Sequence, residues 1–295
     1  MNLLAKFARK LQRLEEIDAR CNRIQEALGR IEARQLADNS AAPIAAAEFR
    51  TFSQWGEDGI IQHLLRQVRV QRRIFVEFGT QDYSEANTRF LLVNDSWSGL
   101  IIDGSQENID RVIQSEIYWR HNLKALCAFV TRENIDDLIR GSGLAGEIGL
   151  LSVDIDGNDY WVWEAITSVS PAIVVTEYNW RFGPERRVTV PYDASFERAR
   201  AHPSMIYYGA SLAALCALGR RKGYAFVGCN SAGNNAFFIR TDLRPAQLPE
   251  LTSREGYVAG QFREARGADG QLAFMTAEAE EALVMSLPLV EVPGA

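Results

Sequence analysis

Cysteine is scarce in this 295-residue chain: Cys21, Cys127, Cys216 and Cys229 stand far apart, with no CxxC and no paired spacing. That excludes a cysteine zinc site and a disulfide framework, and it fits a reducing cytoplasm. No long basic block occurs and the formal net charge is -6, so nucleic acid is not expected as the main partner. No apolar run approaches the roughly 18 residues of a membrane-spanning helix. A secretory leader is not expected either, because Lys6, Arg9 and Lys10 interrupt the apolar start. No internal repeat is present. What is there is a hydrophobic content of 47%, enough for a large core. The length suits one domain of about 200–250 residues plus an appendage.

The stretch from Ile74 to Ser105, IFVEFGTQDYSEANTRFLLVNDSWSGLIIDGS, organises the rest. Its pattern predicts a strand at Ile74–Phe78, a turn at Gly79-Thr80-Gln81-Asp82 and a helix at Glu85–Asn94. A second buried strand, Leu100–Ile102, ends in Asp103 and Gly104. Gly79 lets backbone approach a ligand closely. A buried strand running into a glycine turn and a helix is how an open α/β sheet makes a nucleotide site. Asp103 lies 24 residues beyond Gly79, where an acid can accept hydrogen bonds from ribose hydroxyls. Glu77 sits where a carboxylate can hold a cationic amine, and no Lys or Arg follows in the loop to cradle a phosphate. An adenosine cofactor with positive charge and no phosphate, S-adenosylmethionine (SAM), fits better than a dinucleotide. The plainer alternative is a β-α-β unit with ordinary loop residues.

Residues 1–37 are helical by pattern. Leu4, Phe7, Leu11 and Leu14 step by three and four, and Ile17, Cys21, Ile24, Leu28 and Ile31 do so again. Between Leu14 and Ile17 the phase slips by a stammer. The narrow seam predicts a coiled coil and hence a homo-oligomer. A membrane-surface helix, through Lys6, Arg9, Lys10 and Arg13, and a helix packed on its own domain are the rivals. Residues 38–47, DNSAAPIAAA, read as a linker. Ser53–Val68 reads as a helix capped by Ser53 with His63 on its outer face, and Trp55 lies either beneath the cofactor pocket or in the core.

A third strand, Leu123–Val130, carries Cys127, Ala128 and Phe129, and a fourth, Ile148–Val153, delivers Asp154, Asp156 and Asp159 to its carboxyl end. Carboxylates this close cannot all be buried unpaired. Ala172–Thr176 is the fifth strand and brings Glu177 and Asn179 to the same edge. The unperiodic segment Arg181–Asp193 reads as a loop over the site, a substrate lid. Tyr224–Gly228 and Ala236–Arg240 are two strands around an Asn/Gly-rich turn.

Gln54-Trp55-Gly56-Glu57-Asp58, VEFGT, GLIIDG, LLSVDIDGNDYWVW, EYN and GASLAAL with GNNAFFIR resemble pieces of a class I SAM-dependent methyltransferase, nearest the FkbM-like branch. The resemblance runs from Phe52 to Leu243. It departs in the glycine loop, which carries Gly79 alone. It implies a Rossmann-like α/β sheet of seven strands, mostly parallel with the last antiparallel, over residues 48–245, followed by an extension, 246–295. It places SAM against Glu77, Gly79, Thr80, Asp82, Asp103, Gly104, Cys127, Ala128 and Asp154, with the adenine ring beside the third strand. The expected reaction is O-methylation, and the implied acceptor is a sugar hydroxyl of a glycan or glycolipid. Asp154 and Asp156 are the candidate bases, with His121 and His202 as rivals. Asp154, Asp156, Glu177 and Asn179 offer only oxygen ligands, which favours magnesium or manganese over zinc. Two other readings compete: a nucleotide-sugar enzyme, and a catalytically silent module of the same fold.

Overall fold

The computed structural model describes residues 3–36 and 43–294. Short apolar runs of β-branched and aromatic residues become five parallel strands. These are β1 (Ile74–Phe78), β2 (Ser98–Asp103), β3 (Leu123–Cys127), β4 (Gly146–Val153) and β5 (Val169–Glu177). A two-residue strand β6 (Val188–Thr189) follows, then β7 (Tyr224–Cys229), β8 (Asn235–Arg240) and β9 (Val290–Glu291). The main sheet has seven strands in the order β3-β2-β1-β4-β5-β8-β7. Only β8 runs antiparallel to its neighbours. This is the Rossmann-like, mostly parallel seven-stranded sheet that the sequence led us to expect.

Both faces of the sheet are buried, so its strands read as continuous apolar runs. Alternate residues supply the two cores. Val76, Phe78, Leu151 and Val153 face one layer with Trp163 and Phe238, and Phe75, Ile101, Leu150 and Val175 face the other with Ile60 and Leu64. Each such side chain contributes about 1.5–3 kcal/mol by leaving water.

The first helix, α1 (Leu3–Gln35), packs the later part of its length on the domain. Gln25 donates to Thr51 O, and Ala33 O accepts from Arg66. Gly29 is the contact point: a Cβ there would fall 2.2 Å from Thr51 Oγ1 and 2.8 Å from the Phe90 ring. Packing on its own domain is therefore one use of this helix, while its apolar seam faces away. The expected linker falls partly on residues 38–42, outside the described residues. The rest of it, Ile44–Ala47, forms a buried 3-10 turn instead, because Gly59 leaves room for the Ala47 carbonyl.

The helix after it is α2 (Glu57–Gln67), whose N-cap is Gly56, three residues later than expected. Ser53 is not the cap. It donates to the Asp58 carboxylate, which also collects the Thr51 and Phe52 N–H groups. His63 is buried rather than outward, bonded to Gln67 at 2.6 Å, because α1 packs on α2. Trp55 is neither in the core nor beneath the pocket: it is exposed and stacks on Phe262 at 5.4 Å.

Residues 181–193 are not a lid. Val188 and Val190 are fully buried, and β6 pairs with β9 from the C-terminal extension. Arg181 is buried and paired with Glu264 at 2.7 Å and Glu280 at 2.6 Å. The sequence has no periodicity here because the buried parts, 181–182 and 188–190, pack into a layer that residues 253–292 complete, with an exposed turn between them.

Candidate active site

The parallel strands bring their carboxyl ends to one edge, and the chain places Gly79, Asp103, Ala128, Asp154 and Glu177 there. Gly79 has φ +70°, and a Cβ on it would lie 1.9 Å from the Asp154 carbonyl oxygen. No other residue fits, by backbone conformation or by space. The loop beyond it keeps two non-glycine residues, Gln81 and Tyr83, in the left-handed region at φ 48° and 61°. Such conformations cost about 1–3 kcal/mol each and persist only where neighbours hold them. The expected helix from Glu85 therefore starts only at Arg89, as α3 (Arg89–Asp95).

Two carboxylates hold this loop. Asp103 accepts from Gln81 N at 2.8 Å, Ser105 N at 2.8 Å and Asn108 Nδ2 at 3.1 Å. A carboxylate offers about four acceptor positions, so about one stays open toward the cleft beside it. Glu77 accepts from Asn87 N at 2.8 Å, Thr88 N at 3.1 Å and Thr88 Oγ1 at 2.5 Å. Burial pushes its carboxyl up to about 7 against those donors. Glu77 thus fastens the loop as well as lining the cleft.

Two clefts meet at Gly79, Gln81 and Asp154. One is walled by Asp103, Gly104, Ala128, Phe129 and Phe196. The other is mainly polar, lined by Gln54, Thr80, Asp82, Glu85, Asn87 and Asn235. Within it, Thr80 Oγ1 and Asn235 Oδ1 are buried with no hydrogen-bond partner among the described residues. Cys127 stands behind the first cleft, its Sγ 3.8 Å from Gly104 O, and Phe129 takes the exposed position beside it.

The acids after β4 divide their work. Asp159 holds the turn by accepting from Ile155 N at 2.8 Å and Gly157 N at 2.9 Å. Burial pushes it up to about 6. The turn sets Asp156 at φ 56°. Asp154, Asp156 and Glu177 are then free to converge, with one oxygen from each within 4.8 Å of the others. Burial pushes Asp154 well above the carboxylate range, and Asp156, Asp159 and Glu77 add to it. Glu177 is raised for the same reason, with Asp154 its main neighbour. Glu177 Oε2 is buried with no hydrogen-bond partner among the described residues. The one cation that the described residues place against these acids is Arg198, 2.7 Å from Asp156. It also pairs with Glu264 and lies 3.8 Å over the Tyr208 ring. Arg198, Tyr208, Phe196 and Glu264 were missed in the sequence, where no spacing joins them to the acid run.

Two expected site residues lie elsewhere. Asn179 does not join the acids: its Oδ1 accepts from Arg181 N at 3.2 Å and its Nδ2 donates to Ile206 O and Tyr208 O. Every strong hydrogen-bonding position it has is spent on the neighbouring loop. His121 sits two residues before β3, at the amino edge of the sheet and opposite the site. The acid that acts on it is Glu26 of α1, not one of the site acids, so it is no base for this edge. His202 bonds Ser204 at 2.7 Å and lines neither cleft.

Fold and edge together define a Rossmann-like α/β chain with an acidic, ligand-sized groove across its strand ends. No protein-family model and no curated protein matches the sequence. Among solved structures, the chain is similar to the N-terminal domain of EvdMO1 with SAH bound, at 12% identity and TM-score 0.41, over 72% of this chain and 94% of that one. It is also similar to an O-methyltransferase family protein from Burkholderia thailandensis, at 11% identity and TM-score 0.35, over 83% of this chain and 61% of that one. A third is the O-methyltransferase from Bacillus cereus in complex with SAH, at 11% and 0.34, over 70% and 89%.

Proposed function

We propose that this chain binds SAM across the two clefts and transfers its methyl group to an oxygen acceptor, a sugar hydroxyl of a glycan or glycolipid. One observation carries the reading: Asp154, Asp156 and Glu177 converge beside the Gly79 turn, with a buried Glu177 oxygen that none of the described residues satisfies. The adenosine end fits the cleft of Asp103 and Phe129, and the charged amino-acid end fits the polar cleft of Glu77, Thr80 and Asn87.

SAM supplies a methyl on a sulfonium, an electrophile that needs only an aligned nucleophile. In the displacement an acceptor oxygen forms the new C–O bond while the S–C pair leaves with sulfur. The hydroxyl proton must go to a base. Asp154 is at the junction of both clefts, and a raised carboxyl is a better base near neutral pH than an ordinary one.

The three acids fit a hard divalent cation: all donors are oxygens, and a cation would relieve their mutual repulsion and satisfy Glu177 Oε2. Asp154, Asp156 and Glu177 would hold it, and it would supply Lewis acidity to an acceptor hydroxyl. A silent module of the same fold is the second reading, favoured by the Arg198–Asp156 pair inside the acid cluster.

Calorimetric titration with SAM and S-adenosylhomocysteine tests the reading, and binding of both is expected. Glu177→Gln should then leave that binding within about twofold and remove manganese binding and methyl transfer. No heat with either compound removes the proposal. Binding without turnover on a broad panel of glycans leaves the silent module.

A further inference from the structure

We infer that α1 is the interface of a parallel dimer, formed with a second copy of this chain. Its apolar seam is unpartnered in the single chain. Phe7, Leu14, Ile17, Ile24, Leu28 and Ile31 are all at least 48% exposed, and Cys21 between them is exposed too. Gly29 and Ala33 meanwhile bury the adjoining flank of the helix on the domain. The helix is therefore anchored on one side and open on the other. A 33-residue helix spans about 50 Å, far more apolar edge than a monomer exposes without a use.

Charge selects the occupant. In the heptad frame Leu14, Cys21 and Leu28 take the a positions, and Ile17, Ile24 and Ile31 the d positions. Arg13, Arg20 and Arg34 then all fall at g, and Asp18 and Glu32 at e. Before the stammer, Leu4 and Leu11 take a, Lys10 takes g and Glu15 takes e. Two parallel copies in register set each g position against the partner's next e, the basic row of the sequence against its mainly acidic row. Antiparallel copies set g against g and e against e, basic against basic and acid against acid. A membrane surface is disfavoured, because acids and bases flank the seam on opposite sides and no basic face results.

The register brings the two Cys21 side chains together at one core layer. The other cysteines are buried or half-buried in the domain. Light scattering on the full chain should give twice the chain mass of 33.0 kDa. Mild oxidation with copper phenanthroline should convert most of it to a covalent dimer, and Cys21→Ser should abolish that product. Leu28→Glu and Ile24→Glu change exposed residues and should return the mass to one chain with unaltered circular dichroism. A single-chain mass at micromolar concentration overturns the proposal. So does a dimer that survives both glutamates, or one that resists cross-linking through Cys21.

Discussion

Asp103 and Glu77 show how one carboxylate serves structure and ligand together. Asp103 ties Gln81, Ser105 and Asn108 while keeping an acceptor position toward the cleft. Losing a charge-assisted hydrogen bond costs about 1.5–3 kcal/mol. Asp103→Ala should therefore weaken S-adenosylhomocysteine at least tenfold by calorimetry, and unchanged affinity would move the nucleoside elsewhere. Glu77 makes a pH prediction. The folded chain keeps its proton up to about 7, whereas the ordinary value is 4.5. Between those values the folded state binds more protons than the unfolded one, so stability falls as pH rises through the window. The full effect is about 3 kcal/mol. Asp58 and Asp159, each pushed up to about 6 by burial, act in the same direction. Thermal melts of the ligand-free protein should show a Tm lower at pH 8 than at pH 5. A Tm that climbs steadily over this range would contradict the burial of these carboxyls.

At the scale of elements, α1 is decided by one missing side chain. Replacing a helical glycine with a better helix former ordinarily gains up to about 1 kcal/mol. Gly29→Leu should do the opposite, because the new side chain collides with Thr51 and Phe90. Amide hydrogen exchange should rise across residues 22–36 while the sheet stays protected. Unchanged protection would mean that the helix docks by other contacts.

Across the whole molecule, the C-terminal extension is what buries residues 181–182 and 188–190. Arg181 has no exposure and depends on Glu264 and Glu280, which are 83 and 99 residues away in the chain. Glu264 also holds Arg198 and Tyr208 at the acid cluster, so the extension reaches the site through one residue. Removing one partner of a buried ion pair costs about 3–5 kcal/mol. Glu280→Ala should lower the Tm by several degrees in a melt, near the lower end of that cost because Glu264 remains. A Tm within a degree of the parent would show that the pair adds nothing net.

The sequence by itself determined the strands, their order of use and the acids they deliver. Buried strands write themselves as apolar runs; Asp103 and Glu177 end one, and Gly79 and Asp154 follow one directly. Local pattern also exposed the seam of α1. Only the tertiary structure decided which acids are free. Asp159 and Asp154 look alike in DIDGND, yet one bonds its own turn and the other lies at the junction of the clefts. Asn179 and His121 were misplaced for the same reason: side-chain partners and sheet edges come from segments far off in the chain. Arg198 and Glu264 were invisible, because an ion pair between residues 66 positions apart leaves no periodicity, and only the folded chain brings their charges together.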